Sequence, residues 1–110
     1  MKRLENKIVV VTGASTGIGQ GSAKVLANEG AHVLALDISD KLDDTVKEIN
    51  EAGGQATAYK VDISDEHQVE QFAEKAKDKY GRIDVIFNNA GVDHGAGRIH
   101  AVSYTHLRAH

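Results

Sequence analysis

The chain has 110 residues, 41% hydrophobic and 26% charged, with a formal net charge of −3 and no cysteine. That length holds one small domain, and the composition is that of a globular protein without disulfides or thiolate metal sites. Lysines and arginines lie scattered among acids rather than in a basic stripe, which excludes a nucleic-acid partner, and no apolar run approaches the roughly 18 residues a membrane helix needs.

The first seven residues are charged and lead straight into a strand, unlike a signal peptide, so a cytoplasmic location is expected. Residues 7–11 are a short Ile/Val run ended by a turn signal and predict a strand buried on both faces. Residues 18–29 predict a helix with Ile18, Val25 and Leu26 on its buried face and Gly30 as its stop. Residues 32–36 predict a second strand, ending at Asp37. Ser39 or Asp40 caps the next helix, where Leu42, Val46 and Ile49 recur at helical spacing until Gly53-Gly54. Residues 56–61 predict a third strand, ending at Asp62. Ser64 caps a third helix with Val69, Phe72, Ala73 and Ala76 as its stripe, and Gly81 stops it. Residues 83–87 predict a fourth strand, running into Asn88-Asn89-Ala90-Gly91. Strands and helices alternate with short connections. That order predicts an α/β fold with a doubly wound, Rossmann-like parallel sheet, truncated after the fourth strand.

The stretch Val9 to Ala23, VVVTGASTGIGQGSA, places its glycines between a strand and a helix. A glycine-rich turn in that position is a phosphate cradle, because the helix N-terminus offers unpaired N–H groups and the positive end of its dipole. Gly13 makes the tight turn, Gly17 lets a phosphate approach, and Gly19 lets the helix pack closely. Ser15 and Thr16 add hydroxyl donors. The spacing G-x-x-x-G-x-G is neither G-x-G-x-x-G nor a P-loop.

Thr12-Gly13-x-x-x-Gly17-x-Gly19 followed by Asn88-Asn89-Ala90-Gly91 resembles the short-chain dehydrogenase/reductase family over roughly residues 4–100. The resemblance implies a Rossmann fold that binds a nicotinamide dinucleotide, with the fourth strand on the far side of the first. It places Gly13, Ser15, Thr16, Gly17, Ile18 and Gly19 on the cofactor. Asp62 would accept from the adenine amino group, unless it only caps the turn that follows. Ile63 would lie near the ring, and Asn89, Ala90 and Gly91 would wall the cleft, with Asn88 as scaffold. Asp37 comes eighteen residues after Gly19, where a carboxylate accepts from the adenosine ribose hydroxyls and repels a 2′-phosphate. Thr16 and Ile38 are neutral, so NAD is expected over NADP.

The family's catalytic Ser and Tyr-x-x-x-Lys have no counterpart. Tyr104 is followed by Arg108 at that spacing, too close to Gly91, and arginine does not replace the lysine. No catalytic residue is therefore expected. His106 and His110 have the spacing of a helical metal pair, but no third ligand is positioned, so no metal is expected. Residues 1–100 read as the NAD-binding half-domain. The irregular tail 101–110, AVSYTHLRAH, resembles translated read-through of an adapter or vector. The parent is expected to be a homo-oligomeric NAD-dependent oxidoreductase acting on a small alcohol or carbonyl. The chain itself is expected to be inactive, with an unpaired apolar edge at Val85, Ile86 and Phe87. A non-enzymatic NAD-binding module and a flavin or methyl-donor domain are the other readings. The two motifs together argue against the last.

Overall fold

The computed structural model describes residues 3–15, 17–89 and 100–103, the last four through their backbone. Strand β1 (Ile8–Thr12) is the Ile/Val run, and all five of its residues are buried. Helix α1 (Gly17–Asn28) and β2 (His32–Asp37) follow, then α2 (Lys41–Glu51) and β3 (Gln55–Lys60). Helix α3 (Glu66–Tyr80), β4 (Val85–Asn88) and β5 (His100–Ser103) complete the order. The sheet runs β3-β2-β1-β4-β5. Its first four strands are parallel, with Thr12 opposite Leu36, Asp37 opposite Lys60 and Val11 opposite Phe87. The strand order therefore reverses across the sheet between β3 and β4, as the resemblance implies.

Strand alternation divides the core in two. Val9, Val11, Val33 and Ala35 face α1 and α2, meeting Ala23, Ala27, Leu42 and Ile49. Val10, Leu34 and Leu36 face α3, meeting Phe72 and Ala76. Each fully buried Val or Leu contributes about 1.5–3 kcal/mol over an exposed one.

The buried face of α1 differs from expectation. Gly19, Ala23 and Ala27 are its buried residues, while Ile18 is 46% and Val25 63% exposed and Leu26 is half-buried. Small residues at i, i+4, i+8 let the helix axis approach the sheet, and bulkier side chains would hold it off. One cap also differs, and one resolves to the first of its two candidates. Asp65, not Ser64, caps α3, its carboxylate accepting from the His67 and Gln68 N–H groups at 3.0 and 3.3 Å. At the start of α2 the Ser39 hydroxyl accepts the Lys41 N–H at 3.1 Å, and Asp40 makes no side-chain cap. Gly81 ends α3 at φ +81°, its N–H bonded to the Lys77 carbonyl.

The edge of β4 is not unpaired. Strand β5 runs antiparallel along it, with Asn88 opposite His100 and Val85 opposite Ser103. Regular structure thus reaches into residues 101–103, where an irregular tail was expected. The free N–H and C=O groups of a sheet edge template such an addition.

At the edge of the sheet where β1 starts, Asp84 accepts the Ile8 N–H at 2.7 Å and is braced by Arg82 at 2.9 Å. The Tyr59 and Tyr80 hydroxyls meet at 2.9 Å, joining β3 to the end of α3. Tyr80 packs edge-on against His32, whose ring nitrogen meets the Thr57 hydroxyl at 3.1 Å. Burial and the neighbouring Lys79 hold the His32 pKa below its usual value.

Candidate functional site

The carboxyl ends of β1, β2, β3 and β4 share one edge of the sheet, and the segments that follow them build the site. Thr12, the last residue of β1, carries the first join. Its hydroxyl lies 3.1 Å from Asn88 Oδ1 and 3.4 Å from the Phe87 carbonyl, and it accepts the Asn89 N–H at 2.8 Å. The end of β1 is thereby fastened to the end of β4 across the reversal of strand order. In the sequence Thr12 stands out only as the first letter of the glycine motif. The signal was a β-branched hydroxyl at a strand end that meets two asparagines.

Gly13 turns the chain with φ +62°, a conformation glycine adopts without steric cost. The Ala14 N–H then donates to the Leu36 carbonyl at 3.2 Å, and the Ser15 N–H to Asp37 Oδ2 at 3.1 Å. Asp37 Oδ1 accepts from the Ile38 and Ser39 N–H groups at 2.7 and 3.3 Å. Burial pushes the Asp37 pKa up, and donors on Ser15, Ile38 and Ser39 outweigh it, holding the carboxyl below its usual range. The Ser15 hydroxyl lies close enough to favour that charge, yet it is buried without a hydrogen-bond partner.

Gly17 opens α1 at φ +57°, and a Cβ there would meet nothing within 4 Å. The surface at this glycine is open. Gly19 is the reverse case, since a Cβ there would lie 1.9 Å from the Gly13 carbonyl oxygen and 2.7 Å from Asn89 Nδ2. It is the loop and Asn89, more than the sheet, that require a glycine at 19. Asn89 Nδ2 reaches toward the Gly13 carbonyl at 3.5 Å, while its Oδ1 is buried without a partner.

Asp62 Oδ1 accepts from the Ser64 hydroxyl at 2.6 Å and the Ser64 N–H at 2.9 Å, which holds its pKa low. The turn-capping role weighed from the sequence is thus present. Ile63 lines an apolar cavity of about 220 Å³ on the α3 face, together with Thr12, Leu36, Phe72, Ile86 and Asn88. Ile18 and Ile38 are exposed beside the loop and Asp37. The structure brings Gly13, Ser15, Gly17, Gly19, Asp37 and Asn89 into one constellation, with Asp62 and Ile63 at the neighbouring strand end. Thr16, Ala90, Gly91, Tyr104, His106, Arg108 and His110 lie outside the described residues. Lys60, opposite Asp37 in register, places its Nζ 2.8 Å from Asp40 and 3.9 Å from Asp43. The chain neighbours of Asp37 give no sign of this cation, because it arrives from the next strand.

Residues 7–109 match the family described as short chain dehydrogenase. The chain belongs to the short-chain dehydrogenase family. The match runs on through most of the tail. This short-chain dehydrogenase sequence is 54% identical over 101 residues to YxbG, an uncharacterized oxidoreductase of Bacillus subtilis, covering 91% of the chain and 37% of that relative. It is 44% identical over 95 residues to the 3-oxoacyl-(acyl-carrier-protein) reductase FabG of Thermotoga maritima, covering 86% and 39%. A metagenomic short-chain oxidoreductase solved in complex with NADP superimposes with a TM-score of 0.78 at 40% identity, over 81% of this chain and 41% of that one. A Haemophilus influenza oxidoreductase with bound NAD gives 0.76 at 32% identity, over 84% and 33%. The chain thus spans well under half the length of the relatives it matches. Among its described residues no helix is long and apolar enough to cross a membrane, and no group of three His, Cys, Asp or Glu is placed to hold a metal ion.

Proposed function

We propose that this chain is the dinucleotide-binding half of an NAD(H)-dependent oxidoreductase whose whole protein interconverts an alcohol and a carbonyl. The observation that carries this reading is the ionised Asp37 carboxylate beside the glycine loop, at the strand end that would meet the adenosine ribose. The buried, unpartnered Ser15 Oγ and Asn89 Oδ1 flank Gly13 and fit a ligand rich in hydroxyl and phosphate groups. Gly13, Ser15, Thr16, Gly17, Ile18 and Gly19 would hold the pyrophosphate side. Asp37 would take the ribose, Asp62 and Ile63 the adenine, and Asn89, Ala90 and Gly91 the wall of the cleft.

Once bound, the nicotinamide supplies the hydride chemistry. This chain's part is to bind and orient it: the open Gly17 admits the phosphates, and Asp37 rejects a 2′-phosphate by charge. Lys60, the cation across from Asp37, is turned to Asp40 and Asp43. Fluorescence titration with NADH and NADPH tests the choice. Binding of NADH at least about tenfold tighter is expected, from roughly 1.4 kcal/mol of charge discrimination, and equal affinities refute it.

A non-enzymatic NAD-binding module is the second reading. Tyr59 and Tyr80 bond each other at the far end of α3, and neither supplies an acid to the strand ends. Tight NADH binding without turnover by the whole protein would favour the module, and hydride transfer to any carbonyl would favour the enzyme. An oligomeric, cytoplasmic parent and an adapter origin for residues 101–110 belong to the same proposal. Reading the source gene past codon 100 tests the last point.

A further inference from the structure

We infer that Asp37 sets the shape of the phosphate loop, so that ribose selection and phosphate binding are carried by one mechanically coupled unit. This rests on the phosphate-cradle reading above and goes a step beyond it. In a simple cradle the backbone N–H groups of the loop face the ligand. Here two of them are turned away from it, toward β2. The Ala14 N–H is held by the Leu36 carbonyl, and the Ser15 N–H by Asp37 Oδ2. The other carboxylate oxygen is fixed by the Ile38 and Ser39 N–H groups, so the carboxylate does not swing freely. Asn89 Nδ2 reaches the Gly13 carbonyl from the opposite side. Residues 13–15 are therefore clamped between the ends of β2 and β4, and the Asp37 contact is the charged one. A hydrogen bond to a charged group contributes more than one between neutral groups.

The two roles of Asp37 act on a bound phosphate with opposite signs. As a negative charge near the site, Asp37 opposes an anion. As the anchor of the loop, it preserves the shape that the anion needs. Asp37→Ala sets the two against each other, because it removes the charge together with every side-chain acceptor for the Ser15 N–H. Isotope-labelled wild-type chain and the variant would be titrated with inorganic pyrophosphate and followed by amide resonances. Pyrophosphate carries no ribose, so cofactor preference does not enter.

Anchoring predicts roughly tenfold weaker pyrophosphate binding in Asp37→Ala, as expected for the loss of a hydrogen bond to a charged group. Unchanged or tighter binding overturns the inference. A second measurement needs no variant. In the wild-type chain the Ser15 amide proton should shift with the same acid-side titration as the Ile38 and Ser39 amides. A Ser15 resonance that ignores this titration also overturns the inference. If the variant does not fold, that titration decides alone. If wild-type chain binds no pyrophosphate, the phosphate-cradle reading fails, and the Ser15 titration still decides whether Asp37 holds the loop.

Discussion

Two glycines in α1, two positions apart, should answer the same substitution with opposite signs. A Cβ on Gly19 would stand 1.9 Å from the Gly13 carbonyl oxygen, far inside the 3.4 Å at which ordinary contact begins. The obstacle is backbone, so no side-chain rotation relieves it. Overpacking of this kind costs typically about 1–3 kcal/mol, against which alanine's better helix propensity returns up to about 1 kcal/mol. A Cβ on Gly21 would meet nothing within 4 Å, and the residue is exposed in mid-helix. Gly21→Ala therefore keeps the propensity gain of about 0.5–1 kcal/mol without the clash. The two variants should differ by roughly 2 kcal/mol. For a domain near this size, 1 kcal/mol moves the melting temperature by about 4–8 °C, so the variants should melt roughly 10 °C apart. Thermal melts of both, followed by circular dichroism, read this directly. A Gly19→Ala protein that melts at or above the wild-type temperature would refute the close approach of α1 to the loop.

Three further outcomes are expected. Thr12→Val removes the acceptor of the Asn89 N–H and should cost about 1–3 kcal/mol in urea unfolding; an unmoved midpoint would show that the join between β1 and β4 is dispensable. Asp84→Ala leaves the Ile8 N–H without its 2.7 Å acceptor, at a side chain only 13% exposed. A loss of about 1.5–3 kcal/mol is expected, with Asp84→Asn milder because its amide oxygen can still accept, and equal losses would count against that account. His32 gives a pH dependence. Its folded pKa lies below the usual 6.5, so the unfolded chain binds the proton first. Stability should fall as the pH drops below about 6.5 and level off beneath the folded value. His32→Gln should flatten that window; a profile just as steep in the variant would place the effect elsewhere.

The fold was legible because its signals are local. Short β-branched runs, helical stripes and glycine stops each report on a few neighbouring residues, and those at Val9–Val11, Leu42–Ile49 and Gly81 agree with the strands and helices observed. The misses came from contacts between distant segments. Ile18, Val25 and Leu26 are the large apolar residues of α1, but closeness to the sheet selected Ala23 and Ala27, and closeness to the loop and Asn89 selected Gly19. Ser64 resembles a cap as much as Asp65 does, and its use by Asp62 depends on the shape of the turn after β3. The glycines and Asp37 were legible as a set. The bond from Ser15 to Asp37 was not, because it joins residues 22 apart whose meeting depends on the register of β1 with β2.

The Tyr59–Tyr80 pair has an optical consequence. The chain has no tryptophan and three tyrosines, two of which share one hydrogen bond across the contact between α3 and β3. Burial and the Tyr80 partner raise the Tyr59 phenol well above its ordinary pKa. Phenolate absorbance in alkaline solution therefore becomes a built-in gauge of whether α3 stays docked, read without a label. The same absence of indole leaves the emission window of a bound dihydronicotinamide free of tryptophan background, so docking and nucleotide binding can be followed in one cuvette at separate wavelengths.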